Sequence, residues 1–119
     1  MARRRLEYVG RSQHDLCRFP EDVQEIVVFA LLEAQDGHKH KNAKPLARFH
    51  GAGVLEIALR YKSDAYRVIY TLDLAGVVYV LHAFKKKSVR GIATRREDIA
   101  LIEQRLRTAA QIHEQRRNT

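Results

Sequence analysis

The residues best suited to chemistry are cations that gather in the second half of the chain. Arg60, Arg67 and His82 lie in a stretch rich in valine, isoleucine and tyrosine. A run of cations without any acidic residue follows, and it comprises Lys85, Lys86, Lys87, Arg90, Arg95 and Arg96. Guanidinium groups bind phosphate oxygens through two hydrogen bonds, and an imidazole can transfer a proton near neutral pH. These residue types are suited to binding RNA and to cleaving its backbone.

Cleavage of RNA by its own 2′-hydroxyl needs a base for that proton, an acid for the leaving 5′-oxygen and cations for the developing charge. His82 is the candidate acid or base, and Tyr70 is a second candidate proton donor. Phe84 is suited to stacking on an unpaired base. His38 and His40 are two residues apart, but no second pair of ligands with a recognisable spacing follows them. We therefore expect neither a metal nor another cofactor.

Each of these residues also has a purely structural interpretation. A run of lysines is usually a solvated surface, and a histidine in an apolar strand, such as His82, is more often a core residue. Arg67 could pair with Glu56 or Asp64 across the sheet, and Tyr70 could simply pack in the core. From the residues alone, the sequence predicts a basic α+β protein that binds nucleic acid, and catalysis stays an open alternative.

Three strands joined by two short turns carry most of these candidates. Apolar and polar residues alternate in the first two strands, and the run from Val77 to Phe84 is almost wholly apolar, which suits a central strand covered on both faces. Counting by twos places Val78, Val80, His82 and Phe84 on one face of the third strand. Arg60 and Arg67 could share that face, but the sequence does not fix the register.

Helical periodicity predicts three helices around these strands. A capping-box pattern at Ser12 opens a short helix, a second runs from Pro20 to about Asp36, and the last begins near Arg95 after a similar pattern at Thr94. The buried stripe of the second helix is predicted to contain Val23, Ile26, Val27, Ala30, Leu31 and Ala34. With a short edge strand at residues 4–9 and a basic loop at residues 38–44, the predicted order is β-α-α-β-β-β-α.

The composition predicts one basic domain, residues 1–119. Of the 119 residues, 45% are hydrophobic, and the formal net charge of +8 favours a polyanionic partner such as nucleic acid. No apolar run approaches the roughly 20 residues that span a bilayer, and the N-terminus lacks the apolar segment of a signal peptide. For this reason we expect no membrane partner. Because Cys17 is the single cysteine and cannot form an internal disulfide, we also expect the protein to lie in the cytoplasm.

The segments of the predicted sheet resemble the phage-derived branch of the RelE/HigB toxin superfamily. The ordered segments are AKPL, GAGVLEIALRY, AYRVIY and VYVLHAFKKKS, followed by a closing helix, and the resemblance spans roughly Leu6 to Ala110. It implies a compact RelE-like α+β fold in which a twisted, mainly antiparallel sheet packs against helices. The element order predicted from periodicity agrees with that fold.

The resemblance further implies a toxin of a type II toxin–antitoxin system. Such toxins inhibit translation by cleaving messenger RNA on the ribosome without a metal, and a cognate antitoxin, here often a helix-turn-helix protein, neutralises them. Arg67 matches the arginine that holds the scissile phosphate, and Arg60 matches the arginine ending the preceding strand. Lys86 falls where relatives place a second cation, and His82 matches a histidine typical of this branch.

The sequence departs from related toxins at two places. Glu56 and Ala58 stand where relatives carry lysines, and residues 88–94 lack the tyrosine that relatives place there. An alternative function is therefore a non-catalytic module that binds nucleic acid or an antitoxin. The predicted catalytic residues are Arg67, His82, Lys86 and Tyr70, and the predicted RNA-binding residues are Arg60, Phe84, Lys85, Lys87 and Arg90.

Overall fold

The computed structural model describes residues 3–49, 53–86 and 95–118 of the chain. Within these ranges it contains five strands, three α-helices and a 3₁₀ turn at Ala47–Phe49. The elements are β1 (Arg5–Tyr8), α1 (Ser12–Leu16), α2 (Glu21–Gln35), β2 (Ala43–Pro45), β3 (Val54–Tyr61), β4 (Asp64–Thr71), β5 (Val77–Lys86) and α3 (Arg96–Arg117). The α+β class is confirmed, and so is the predicted order apart from the additional strand β2.

The strands form one sheet in the order β1-β5-β4-β3-β2. β1 is parallel to β5, and all the other neighbours are antiparallel. β5 is buried from Val77 to Ala83, as predicted for a covered central strand. β2 overlaps the predicted basic loop at residues 38–44. It was not predicted as a strand, because three residues ending in a proline give no alternation signal.

A two-residue turn at Lys62 and Ser63 fixes the pairing of β3 with β4. Both residues have positive φ angles, 48° and 71°, as a type I′ hairpin turn requires. This tight turn places Ala58 opposite Arg67 and Glu56 opposite Ile69. The register that the sequence left open is therefore set by a turn of two residues.

A bulge in β5 changes which side chains share a face. Ile69 pairs with His82, whereas the next residue of β4, Tyr70, pairs with Val80, so Leu81 is an extra residue in the ladder. Because side chains alternate with period two, one extra residue moves every later side chain of β5 to the opposite face. The prediction that His82 shares a face with Val80 is wrong for this reason.

Helices cover the two faces of the sheet separately. We call the face covered by α1 and α2 the α2 face and the opposite one the α3 face. The core of the α2 face includes Val27, Leu31, Ile57, Val68 and Tyr70. The core of the α3 face consists of Val9, Leu46, Val54, Ile69, Val77, Tyr79, Leu81, Ile102 and Ala109.

The helix boundaries differ from the predictions in small ways. Ser12 lies inside α1 rather than capping it, and its hydroxyl donates a hydrogen bond to the carbonyl oxygen of Val80 on β5. Ile26 was predicted to be buried, but it is exposed on the outer side of α2. Gly37 follows the end of α2 with a φ of 85°, which agrees with the predicted end of this helix near Asp36. Among the helices that the structure describes, none is both long and apolar enough to span a bilayer.

Candidate nucleic-acid interface

Four of the predicted site residues lie on the α3 face in adjacent strands. Arg67 of β4 is opposite Ala58 on β3 and opposite Phe84 on β5. Ala65, two residues before Arg67, is opposite Arg60 on one side and opposite Lys86 on the other. Residues that face each other in a ladder, or lie two apart in a strand, point to the same face. The hairpin turn and the bulge thus bring Arg60, Arg67, Phe84 and Lys86 onto one surface.

Arg67 is bound to a buried carboxylate on this surface. Its Nη1 donates to Oε1 of Glu56 at 2.8 Å, and Nζ of Lys44 on β2 lies 4.0 Å from the same oxygen. Only 4% of the Glu56 side chain is exposed. A buried carboxylate is costly unless cations or donors surround it, so this pair also stabilises the sheet. The structural interpretation that Arg67 pairs with Glu56 is confirmed.

Arg67 keeps donor capacity that Glu56 does not use. Its Nε is buried and has no hydrogen-bond partner within the described part of the chain. The Arg67 side chain also lines a depression of about 160 Å³, together with Ala58, Leu59, Arg60 and Ala65. A buried N–H without a partner typically costs about 1–3 kcal/mol. The exposed fifth of the Arg67 side chain is the part that a ligand can reach.

Lys86 adds a further cation to the same surface. Partial burial lowers its pKa, the positive charges of Arg67 and Lys44 lower it further, and Glu56 opposes the shift. Three cations therefore surround one carboxylate, so positive charge remains in excess. An anion placed on this surface would meet a favourable field.

His82 is also on the α3 side of β5, but it is bound into the fold. Its Nε2 is 2.8 Å from Oδ1 of Asp98 in the first turn of α3, and its ring stacks on Phe84 with centroids 4.6 Å apart. Burial lowers the pKa of His82, which outweighs the opposite effect of Asp98, while the nearby Arg105 lowers it further. The neutral ring joins the sheet to α3, and Arg95 donates to the second oxygen of Asp98.

Two predicted site residues lie on the opposite face. Tyr70 is 1% exposed in the core of the α2 face, and burial raises its pKa to about 12. This placement corrects the expectation that Tyr70 donates a proton in the site. Lys85 is opposite Tyr66 on the α2 face, with its Nζ 3.2 Å from Oδ2 of Asp64. The structure thus separates Lys85 from Lys86, although they are neighbours in the chain.

The remaining predicted residues lie away from the interface or outside the described residues. Lys87 and Arg90 lie outside the described residues. His40 is buried, and its Nδ1 accepts a hydrogen bond from the backbone N–H of Asn42. Within residues 3–49, 53–86 and 95–118, no cluster of three or more histidine, cysteine, aspartate or glutamate side chains is suited to binding a metal.

Sequence reasoning missed three contributors to this region. Lys44 lies on the short strand β2, which was not predicted, and Asp98 looked like an ordinary acidic residue at a helix start. Glu56 was noted only as a departure from related toxins and as a structural partner for Arg67. The alternation of β3 does place Glu56 on the same face as Arg60, so that signal was available.

Several solved structures are similar to this chain. The crystal structure of the isolated E. coli RelE toxin matches with a TM-score of 0.54 and 22% identity, over 87% of this chain and 98% of that chain. A mutant E. coli RelE in the free state matches with a TM-score of 0.53 and 21% identity, over 69% and 82%. A chain of the intact E. coli RelBE toxin–antitoxin complex gives 0.48 and 20%, over 73% and 99%. The first two matches show that the protein has the fold of RelE toxins.

The family follows from the sequence itself. The chain belongs to the family described as phage derived protein Gp49-like (DUF891), whose model matches residues 14–107. A comparison with curated proteins gave no significant match. The phage-derived family and the RelE-like fold that the resemblance implied are thereby confirmed.

Proposed function

We propose that the protein is the toxin of a type II toxin–antitoxin system and cleaves messenger RNA on the ribosome without a metal. The observation that carries this proposal is the convergence of Arg60, Arg67 and Lys86 with the ring of Phe84 on one sheet face. The family and the RelE fold support the same function. In this proposal the protein acts in the cytoplasm, where its substrate is.

The phosphate at the cleavage point binds in the depression over Ala58. Arg60 contacts it from one side, and Arg67, which also lines the depression and is 20% exposed, donates from the other. Glu56 holds the guanidinium in place, so Arg67 is preorganised for a planar, bidentate contact. Phe84 lies next to Arg67 in the ladder and stacks on an unpaired base.

Proton transfer is assigned to Glu56 and Lys86. The Glu56 carboxylate accepts the 2′-hydroxyl proton as the 2′-oxygen bonds to phosphorus. Lys86 then protonates the 5′-oxygen as its bond to phosphorus breaks, leaving a 2′,3′-cyclic phosphate and a 5′-hydroxyl. The lowered pKa of Lys86 makes its ammonium group a better acid. His82 supports the interface by holding Phe84 and α3 rather than by transferring a proton.

Expression in a bacterial host tests this proposal. Wild-type protein should arrest growth and shorten polysomal messenger RNA, and Arg67→Ala should relieve both effects. Arg107→Ala, which removes an exposed arginine from α3, is the matched control and should stay toxic. Normal growth and intact polysomal messenger RNA with the folded wild-type protein would reject the proposal.

A second function is favoured by the pairing of Arg67 with Glu56. The buried Glu56 carboxylate already binds one N–H group of the Arg67 guanidinium. With that donor taken, the surface could bind RNA without cleaving it. Such a module would bind with a steep dependence on salt concentration, since each neutralised phosphate releases counterions. Binding to single-stranded RNA without any new 5′ end would favour this second function over cleavage.

The proposed partner in the cell is a cognate antitoxin, expected to be a helix-turn-helix protein encoded next to the toxin. The resemblance to the RelE/HigB superfamily supports this assignment. Coexpression with the neighbouring reading frame should restore growth and should yield a complex on copurification. Continued arrest, together with the absence of a complex, would reject that partner.

A further inference from the structure

The outer side of α2 exposes an apolar surface that the RNA interface does not use. Among the described residues, the exposed large hydrophobic side chains are all on this helix: Ile26 is 40% exposed, Val28 49%, Phe29 59% and Leu32 36%. A monomer rarely leaves such neighbouring apolar side chains in water without a binding role. They do not contribute to the core, because the opposite side of the helix packs on the sheet through Val27 and other residues.

A shallow groove runs along this side of α2. Its volume is about 510 Å³, and its lining follows one helical face: Glu21, Gln24, Glu25, Val28, Phe29 and Leu32. Residues three and four apart on a helix are neighbours on its surface, so the three apolar residues form a continuous strip with the two carboxylates at its start. This spacing is that of a surface against which another helix packs.

The charge of α2 is opposite to that of the whole chain. Residues 19–38 hold five of the 14 acidic residues and no lysine or arginine, although the formal net charge is +8. Asp22 accepts a hydrogen bond from the Tyr61 hydroxyl, and Asp36 pairs with Arg3. Glu21 and Glu25 instead lie exposed beside the groove. The groove is therefore apolar in its centre and negatively charged at one end.

We infer that the outer side of α2 binds a basic amphipathic helix of a partner protein. The apolar stripe of that helix covers Val28, Phe29 and Leu32, and its lysines or arginines face Glu21 and Glu25, which complements the charge of the groove. Among the helices described here, a second copy of this chain offers none of this kind, because the arginine-rich α3 buries its own apolar stripe at Ile99 and Ile102.

The position of the groove separates this interaction from RNA binding. α2 packs on the α2 face through its inner side, whereas Arg67, Glu56 and Lys86 lie on the α3 face. A helix bound outside α2 therefore leaves the phosphate site open. Partner and RNA are expected to bind at the same time, and the inference does not depend on whether the RNA is cleaved.

A designed peptide tests the inference on the full-length protein. The probe is a fluorescein-labelled helical peptide with a leucine stripe flanked by lysines, and its control carries glutamates in place of the lysines. Fluorescence anisotropy should show saturable binding of the lysine peptide only. Phe29→Ser should weaken it about tenfold or more, the loss expected for removal of an apolar anchor. Equal affinity for Phe29→Ser and wild type would overturn the inference.

Charge reversal provides a second variant that leaves the apolar strip intact. Glu21→Lys combined with Glu25→Lys should reverse the preference, so that the glutamate peptide binds and the lysine peptide does not. Wild type should bind the lysine peptide, and the double variant the glutamate peptide, with the same affinity whether or not a single-stranded RNA oligonucleotide is present. A wild-type dimer in sedimentation equilibrium that Phe29→Ser abolishes would show that a second copy covers the groove, and this would overturn the inference.

Discussion

Arg67 and Glu56 face each other across β4 and β3, with Nη1 of the arginine 2.8 Å from Oε1 of the glutamate. The arginine best placed to hold a substrate phosphate is thus already bound to an anion of the protein. Its Nε is buried without a partner within the described residues, while 20% of the side chain stays exposed to a ligand. The first two predictions separate the structural and chemical roles of this pair.

The chemical role is tested by Glu56→Gln. The amide keeps the shape of the side chain but cannot accept the 2′-hydroxyl proton, so the single-turnover cleavage rate should fall at least about 100-fold. The affinity for single-stranded RNA should not fall, because the change removes a negative charge from the phosphate site. Quenched-flow cleavage and anisotropy binding measure the two quantities. The control is Glu103→Gln, on the exposed side of α3, which should cleave and bind RNA as wild type does. An unchanged cleavage rate for Glu56→Gln would exclude Glu56 as the base.

The structural role is tested by unfolding. Arg67→Ala removes the closest cation from a buried carboxylate, and we expect the free energy of unfolding to fall by about 2 kcal/mol. This is less than for a fully buried pair, because 20% of the Arg67 side chain is exposed and Lys44 still approaches Glu56. Adding Glu56→Ala should recover part of the loss. Urea denaturation of the four proteins in this cycle measures the coupling, and additive effects would contradict the pairing.

Lys86 and Lys85 are adjacent lysines on opposite faces, which allows a matched comparison. Lys86→Arg keeps the positive charge but removes the acidic ammonium, so RNA affinity should hold while the cleavage rate falls at least about tenfold. Lys85→Arg, next to Asp64 on the other face, should cleave as wild type does. The same rate for both variants would show that Lys86 is not the acid.

The buried pair of His82 with Asp98 predicts a dependence of stability on pH. Burial holds the pKa of His82 below its ordinary value of 6.5, so below about that pH the unfolded chain binds a proton that the folded chain does not. The stability contributed by the neutral ring is therefore complete above the unfolded pKa and is lost as the pH falls through the folded one. His82→Asn should flatten the decrease in unfolding free energy between about pH 7 and pH 5.

His38 provides the control for this titration. It is exposed in the loop after α2, so His38→Asn should keep the wild-type dependence on pH. Urea denaturation at a series of pH values gives the slopes. A wild-type slope in His82→Asn would mean that other groups cause the loss of stability in acid.

Periodicity predicted the elements well because most of them bury one face. The alternation in β3 and the spacing in α2 and α3 follow from burial of one face, whereas the apolar run of β5 follows from its cover on both faces. β2 was missed because it is too short to alternate. Ile26 was misplaced because helical spacing alone does not show how wide the buried stripe is.

The composition of the site was harder to predict than the fold. Parity counting along β5 assumed an uninterrupted ladder, and Leu81 breaks it, so His82, Phe84 and Lys86 lie on the opposite side from Val80. Nothing in the sequence around Leu81 marks this bulge. Contacts between distant segments, such as His82 with Asp98, depend on where α3 packs and have no local signal.

The central claim is that the surface with Arg67 and Lys86 on the α3 face cleaves messenger RNA on the ribosome. A cleavage assay on ribosomes that carry a defined messenger RNA tests this claim most directly. Purified protein is added to ribosomes stalled on a defined messenger RNA, and new 5′ ends are mapped by primer extension. The account predicts new ends at the A-site codon with wild-type protein and with Arg107→Ala, and their loss with Arg67→Ala and Glu56→Gln. Intact messenger RNA with folded wild-type protein, or undiminished cleavage by Arg67→Ala, would contradict it.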